Sequence, residues 1–385
     1  MDKYTKNAPP FTLGMEEEYW LVNNETNDLV KNTPSQFLKQ IKEVLGDTAT
    51  HEFLRSQIEV GTKPYDDLNA IYSELKAFRL KISEVANKHN MSLVASSSHP
   101  FADYRKQKHT PKKRYSQLAA DFQEITKRLL ICGMHIHIGI PDNELKIDLM
   151  NQFSYFLPHI LPLTTSSPFW EGRDTGLLSY RLTVFDALPR TGLPEDFISW
   201  GEYQRFLTLL QKTNAIEDGT KIWWDLRANA NWPTLEVRIS DICTNLRDAI
   251  AVAALARCLI RMLYRLRVDN RKWRVYPKSL INENRWRAQR YSLLKDNELK
   301  LIDCGISKAV NYKTLVDEIM DIISKDIKFF GYQEFMAHIY IILKRGTSAD
   351  RQRLIYDKAI KKGETKEKAL YNVVEWLKKE TLNFE

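Results

Sequence analysis

Three stretches of this chain alternate polar and apolar residues so strictly that they leave it little choice of fold. In residues 234–240, TLEVRIS, an extended backbone sends Leu235, Val237 and Ile239 to one side and Glu236 and Arg238 to the other. In residues 131–140, ICGMHIHIGI, Met134, Ile136, Ile138 and Ile140 take one face and His135 and His137 the opposite one. In residues 11–22, Glu16 and Glu18 share a face, while Glu17 faces the other way between Met15 and Tyr19. Each stretch therefore predicts a strand with an apolar core side and a side carrying ionisable groups. Residues two apart on a strand are about 6–7 Å from each other, so Glu236 and Arg238 can reach one ligand. The alternatives are a solvated strand face with an incidental ion pair, and histidines hydrogen-bonded within a core.

The remaining segments are read the same way. Residues 51–60 predict a strand with Ile58 and Val60 inward and Gln57 and Glu59 opposite, and residues 180–184 predict another with Ser179, Arg181 and Thr183 on one face. Residues 91–98 read as an apolar-then-polar strand. Helices are expected over 35–45, over 66–88 with Asp66 as cap, and over 145–163, 197–212 and 244–269. The 66–88 helix buries Leu68, Ile71, Leu75, Phe78, Ile82 and Val85. Residues 103–115 form a loop or short helix, 166–176 a turn-rich loop, and the prolines and glycine of ALPRTGLP impose a fixed non-helical path. Beyond Tyr312 the pattern is helical, with breaks near Gly331, Gly346 and Gly363. No repeat, linker or composition shift marks a boundary, so residues 1–385 read as a single unit. Its fold class is α+β, a mainly antiparallel sheet with helices on one face.

Charge and cysteine usage narrow the function. The net charge of +8, from 57 basic and 49 acidic residues, is spread along the chain, which suits an acidic substrate or a nucleotide better than nucleic acid. Cys132, Cys243, Cys258 and Cys304 are far apart with no CxxC pair, which argues against a disulfide scaffold and fits a reducing cytosol. The N-terminus lacks an apolar signal core. The most apolar long segment, 249–266, is interrupted by Arg257, Arg261 and Arg265, which predicts one stripe of an amphipathic helix and no membrane span. GxxxxGK[ST], GxGxxG and GxSxG are absent, and the His51-Glu52 start of an HExxH motif meets Arg55 where its second histidine belongs. A nucleotide would thus be handled on a sheet with metals, not on a glycine-rich loop.

The polar strand faces supply Glu16, Glu18, Glu59, His135, His137, Arg181, Glu236 and Arg238. Carboxylates gathered in one cleft repel by about 1–4 kcal/mol per pair at ~4 Å in polar to aqueous surroundings, unless cations sit between them. Oxygen-rich sites with at most one nitrogen each suit Mg²⁺ or Mn²⁺ rather than zinc, and arginines suit a phosphoryl group. Two rival readings are a metal-dependent amide hydrolase built on His135 and His137, and a nucleotide- or nucleic-acid-binding protein without catalysis.

The motifs GMEEEYWLV, QIEVGT, CGMHIHIGI, SPFWEG with SYR, ALPRTGLP, WWDLR with PTLEVRISD, and ENRWRAQRY resemble, in the same order, the carboxylate–amine ligase family, the second type of glutamate–cysteine ligase. The resemblance runs over roughly residues 11–375. It implies a glutamine synthetase-like fold, whose curved antiparallel sheet holds divalent metals and ATP on its inner face, with helices outside and a helical C-terminal part. It implies Glu18 and Glu59 at one metal, and Glu16, His135 and Glu236 at a second. Arg181, Arg238 and Arg227 are implied at the nucleotide phosphates, Glu52 as a further candidate ligand, and His137 as an outer or substrate contact. The implied reaction is ATP-dependent amide formation through an acyl phosphate, with glutamate and cysteine as substrates. The implied protein is a cytoplasmic homo-oligomer, a dimer, with no nucleic-acid or membrane partner. Ser166, where asparagine is expected before Ser-Pro, and Ser292, where glycine is expected after Arg-Tyr, depart from the pattern and bear on the substrate pocket.

Overall fold

The alternating stretches become neighbouring strands. The computed structural model describes residues 3–294, 298–303 and 305–385; Cys304 lies outside the described residues. Its strands are β1 (Leu13–Asn23), β2 (Ala49–His51), β3 (Gln57–Gly61), β4 (Met91–Val94), β5 (Met134–Gly139), β6 (Phe169–Trp170), β7 (Arg173–Asp174), β8 (Leu226–Ala228), β9 (Thr234–Val237), β10 (Lys300–Asp303) and β11 (Lys308–Asn311). The main sheet runs β2-β3-β1-β5-β9-β8 with every neighbouring pair antiparallel. β1 is its organising strand: β3 lies along one edge, while β5 pairs with its first half and β4 with its end. β6-β7 and β10-β11 are small separate pairs.

The helices are α1 (Ser35–Leu45), α2 (Leu68–Asn87), α3 (Lys113–Phe122), α4 (Glu124–Lys127), α5 (Asn143–Phe153), α6 (Leu157–Ile160), α7 (Tyr180–Phe185), α8 (Trp200–Lys212), α9 (Leu246–Val268) and α10 (Lys278–Arg290). The C-terminal part adds α11 (Tyr312–Ile322), α12 (Ser324–Phe330), α13 (Gln333–Arg345), α14 (Ser348–Lys361) and α15 (Lys366–Thr381). Three of the glycines between these helices, Gly331, Gly346 and Gly363, adopt positive φ, so the chain stops and turns where expected. The apolar side of the sheet, with Leu13, Met15, Ile58, Val60, Ile136, Ile138, Leu235 and Val237, is buried, with α2 packed on β1 and β4, α5 on β8 and β9, and α9 against both helices. No helix among the described residues is long and apolar enough to cross a membrane.

One charged pair sits inside that core. Glu17 points away from the polar face of β1 and meets Arg79 of α2 at 2.8 Å, both side chains fully buried. Arg79 satisfies all of its N–H donors: two bonds go to Glu17 and the others to the carbonyls of Cys243, Thr244 and Thr381. A buried charge is tolerated only when paired and hydrogen-bonded, and this one ties β1 and α2 to the segment before α9 and to the end of α15.

Several local expectations are corrected. Residues 51–60 are not one strand. β2 and β3 form a hairpin, and the turn between them sends Glu52 toward the polar face. Residues 180–184 are helix α7, so Arg181 is buried while Thr183 is exposed, and the expected shared face does not exist. β9 ends at Val237, because the next two amides, of Arg238 and Ile239, both donate to the Asp225 carbonyl. The α2 cap is Asp67, whose carboxylate accepts the Asn69 N–H, and not Asp66. β4 is shorter than residues 91–98, and α5 covers only the first part of 145–163. α9 is not a surface amphipathic helix. It is buried on almost every side, and its arginines turn inward: Arg261 and Arg265 share Asp326, and Arg257 donates to the Asp66 carbonyl and the Tyr332 hydroxyl.

Candidate active site

Strand register puts the polar residues in rows. Residues directly opposite on paired strands share a face. Glu18 stands opposite Glu59; Glu16 lies opposite Gly61 on one side and His135 on the other; His137 lies opposite Glu236, which lies opposite Arg227. Because the side-chain period of a strand is two, all of these project from the face that the core helices leave uncovered. There Glu16, Glu18, Glu59, His135 and Arg227 line a cleft of about 550 Å³, whose walls also carry Glu52, Arg181 and Arg238, while His137 and Glu236 are buried beside Glu16 and His135.

At one end of the cleft Glu18, Glu52 and Glu59 bring carboxylate oxygens within 4.8 Å of one another. Glu18 and Glu59 form no ion pair with a basic side chain among the described residues; Glu18 accepts the Gly133 N–H at 2.7 Å, and Glu59 is 3.3 Å from the Thr50 hydroxyl. Burial, and then the Glu52 charge, push Glu18 up to about 8 against the pull of Arg181. Burial and the charges of Glu52, Glu16 and Glu18 push Glu59 well above the usual carboxylate range. These two carboxylates face other carboxylates with no protein cation in contact, which is the environment a divalent ion relieves.

The middle of the cleft is different. Burial pushes Glu16 up, but the hydrogen bond with His135 (2.9 Å) and the nearby His137 ring outweigh it and hold Glu16 well below the usual range. Burial, then the Arg238 charge, push the His135 ring down to about 4. Burial works against a charged His137, yet Glu16 and Glu236 raise it. His137 Nδ1 is engaged with Thr234 Oγ1 at 3.1 Å. Its Nε2 is buried without a hydrogen-bond partner, 3.3 Å from Glu16 and 4.0 Å from Glu236. A ring whose one nitrogen is fixed and whose other faces two carboxylates is set up as a ligand. The oxygen and nitrogen atoms group as Glu16, His137 and Glu236, and as Glu16, Glu59 and His135. His137, expected as an outer contact, thus stands with Glu16 and Glu236, and Glu52 joins Glu18 and Glu59.

The arginines divide into two kinds. Arg227 grips Glu236 through Nε and Nη2 (2.7–3.0 Å), Asn229 adds a bond at 2.6 Å, and Arg238 pairs with the other oxygen. Burial opposes the Glu236 charge, but Arg238 and Arg227 hold it well below the usual range. Arg181 is buried yet forms no ion pair with any carboxylate among the described residues; its guanidinium has only long bonds, 3.3–3.4 Å, to the Arg238 and Ile239 carbonyls. Gly133 makes room for it. A Cβ there would lie 2.5 Å from Arg181 Nη2.

Other cleft residues carried weak sequence signals: Lys112, Tyr115 and Leu118 near α3, Phe53 and Gln57, and Thr220, Lys221, Asn229 and Trp232 around the WWDLR segment. Composition singles out none of them. Asn229 was within reach of inspection, since it follows the strand that carries Arg227. Ser166 and Ser292, expected to bear on the substrate pocket, do not line the cleft. Ser166 is buried against Asp241 and Ser97, and Ser292 donates to Asp350. Cys132, Cys243 and Cys258 are buried free thiols, and burial pushes Cys132 well above the ordinary thiol range.

Comparison with known proteins identifies the family and the fold. Residues 12–371 match the sequence profile of glutamate-cysteine ligase family 2. The chain is 49% identical over 378 residues to "Putative glutamate--cysteine ligase 2" of Rhodospirillum rubrum, covering 97% of this chain and 96% of that one. It is 47% identical over 367 residues to the protein of the same name from Jannaschia sp., covering 95% and 96%. Among solved structures, a glutamate–cysteine ligase from Francisella tularensis in complex with AMP superposes with a TM-score of 0.68 at 13% identity, covering 97% of this chain and 89% of that one. A bifunctional glutathione synthetase from Pasteurella multocida gives 0.68 at 14% identity, covering 96% and 52%. At such identities the two structures speak for the fold: the antiparallel sheet and outer helices are those of this ligase class.

Proposed function

This chain belongs to glutamate-cysteine ligase family 2, and on that premise we propose that its cleft joins a carboxylate to an amine with ATP as co-substrate, glutamate and cysteine being the reference pair. The observation that carries the reading is a juxtaposition. Carboxylates that no basic side chain neutralises, Glu18 and Glu59, share one cleft with a buried guanidinium, Arg181, that no carboxylate touches. A nucleoside triphosphate accompanied by divalent ions supplies both complements at once.

Glu18, Glu52 and Glu59 form one candidate set of ligands; Glu16 with His137 and Glu236, or with Glu59 and His135, forms the other. Three oxygens, or two oxygens and one nitrogen, suit Mg²⁺ or Mn²⁺. Bound there, such an ion would offset negative charge on the transferring phosphoryl group. Arg181 contacts the γ-phosphoryl group as it passes to the substrate carboxylate, forming a P–O bond to that oxygen and releasing ADP. Arg238 and Arg227, held in place by Glu236, present further positive charge to the phosphates. The amine then attacks the acyl carbon, phosphate leaves, and an amide forms. The apolar walls, including Phe53, Leu118, Phe185 and Leu188, keep water from the acyl phosphate. No cysteine nucleophile takes part, in keeping with the buried Cys132 thiol.

The test is ADP release with Mg²⁺, ATP and a panel of carboxylates and amines that includes glutamate and cysteine, with mass spectrometry of the product. The expected outcome is an amide formed in step with ADP. Amide cleavage without ATP, or no substrate-stimulated ADP release across the panel, would overturn the reading.

A further inference from the structure

Arg181 is placed more firmly than its own long bonds explain. It stands on α7, a six-residue helix whose Ser179 N-cap makes no side-chain capping bond. The first turn is held instead by a buried polar cluster from two other segments. Ser167 Oγ accepts the Arg181 N–H at 3.0 Å, and the Ser167 carbonyl accepts the Tyr180 N–H. With that oxygen accepting, the Ser167 hydroxyl directs its hydrogen to Asp241 Oδ2 at 2.7 Å, where the Ser166 N–H also arrives at 2.9 Å. Ser179 Oγ donates to Asp241 Oδ1 at 2.8 Å. Asp241 and all three serines are fully buried. The backbone of Asp241 also bridges to Gly133, the residue whose missing side chain leaves space for the guanidinium.

A carboxylate in direct contact would fix an arginine more simply. Asp186 and Asp225 do so for Arg285, which they grip from two sides. Contact of that kind occupies the forked donors. Asp241 acts on the backbone frame of Arg181 and leaves its donors open.

We propose that Asp241 is a positioning residue for the ligase reaction: through the hydroxyls of Ser167 and Ser179 it sets where Arg181 stands, while keeping the guanidinium face free for the phosphoryl group. The inference rests on the proposed function for the role of Arg181, not for the placement itself. SPFWEG, SYR and RISD, far apart in sequence, each supply one part of the same support.

The decisive variant is Asp241→Asn, which keeps the volume but cannot accept all three bonds. A displacement of about 1 Å at a catalytic group lowers rate by about 10²-fold, so kcat is expected to fall by that order with the ATP KM nearly unchanged. Ser167→Ala and Ser179→Ala should give smaller losses of the same kind. In an Arg181→Ala background, Asp241→Asn should cause no further loss of kcat, although its effect on melting temperature persists. A purely structural residue would instead give unchanged kcat per folded molecule, or losses that multiply; either result overturns the proposal. A crystal structure of Asp241→Asn should show the Arg181 guanidinium displaced, and an unmoved guanidinium refutes the placement even if no substrate pair supports turnover. Should Asp241→Asn fail to fold, the two serine variants carry the same measurements.

Discussion

Gly133→Ala isolates the contribution of one guanidinium position. Gly133 has no positive φ, so alanine is accommodated by the backbone, and any effect comes from the new Cβ. That atom would lie 2.5 Å from Arg181 Nη2, 3.0 Å from Cζ and 3.1 Å from Nε. Carbon contacts relax at about 3.5–4.0 Å, so the guanidinium must retreat by roughly 1 Å. Toward the Arg238 and Ile239 carbonyls, at 3.3–3.4 Å, it can move by only about 0.5 Å before those bonds reach their usual length; the rest of the shift must be a swing within the cleft. A misplacement of about 1 Å is worth about 10² in rate, which is ~2.7 kcal/mol of transition-state stabilisation. The fold should survive, because the group that yields is the end of a flexible side chain. The assay is steady-state ADP release beside thermal melting, for Gly133→Ala, Arg181→Ala and the double variant. The single glycine variant should lose about 10² in kcat and melt near the parent, and the double variant should match Arg181→Ala. A kcat within about threefold of the parent, given the size expected of such a displacement, would refute the reasoning.

Three further outcomes are expected. Arg238→Ala should lower turnover by about 10³-fold or more with little loss of stability, because Glu236 keeps Arg227 and Asn229; activity within about tenfold of the parent counts against the phosphate role. Glu17→Gln leaves Arg79 charged and buried without its anion, which costs about 3–5 kcal/mol; urea unfolding showing less than ~1 kcal/mol would contradict the pairing as described. In chelator, stability should fall as pH rises from 6.5 to 8. Glu18, raised to about 8 from 4.5, keeps a proton that the unfolded chain has released. His137 and Glu59, both raised, act in the same direction, whereas His135, His99 and His159, each lowered to about 4, oppose them, mostly below pH 6.5 and with an effect that fades by pH 8. Mg²⁺ or Mn²⁺ should raise the melting temperature more at pH 8 than at pH 6.5, since an ion replaces those protons, and a pH-independent gain would argue against these carboxylates as ligands.

Much of the polar face was legible because strand alternation is a local rule. Glu16, Glu18, Glu59, His135, His137 and Glu236 each declare their side by parity, and the antiparallel register then brings them into rows. Parity failed where a non-local interaction decided the conformation. The alternation of Tyr180–Val184 fits a strand, but Ser167 and Asp241, from other segments, hold Ser179 and the Arg181 N–H in the first turn of the helix α7. Glu52 was left loosely placed because its position depends on the hairpin between β2 and β3, a turn without a glycine or proline signal. The arginines of α9 looked like a wet stripe because their partners, Asp326 and Tyr332, lie in elements that sequence spacing does not connect to them.

The Glu17–Arg79 strut also bears on how such a chain reaches its native state. Arg79 joins a residue 62 positions upstream to carbonyls 164, 165 and 302 positions downstream. A nascent β1 therefore emerges from the ribosome carrying an acidic group whose permanent counterion arrangement is still untranslated. β3, β4 and Arg79 itself come early in the chain, but Arg79 gains its last carbonyl partner only with the segment around Thr381, and closing a loop of that length is slow.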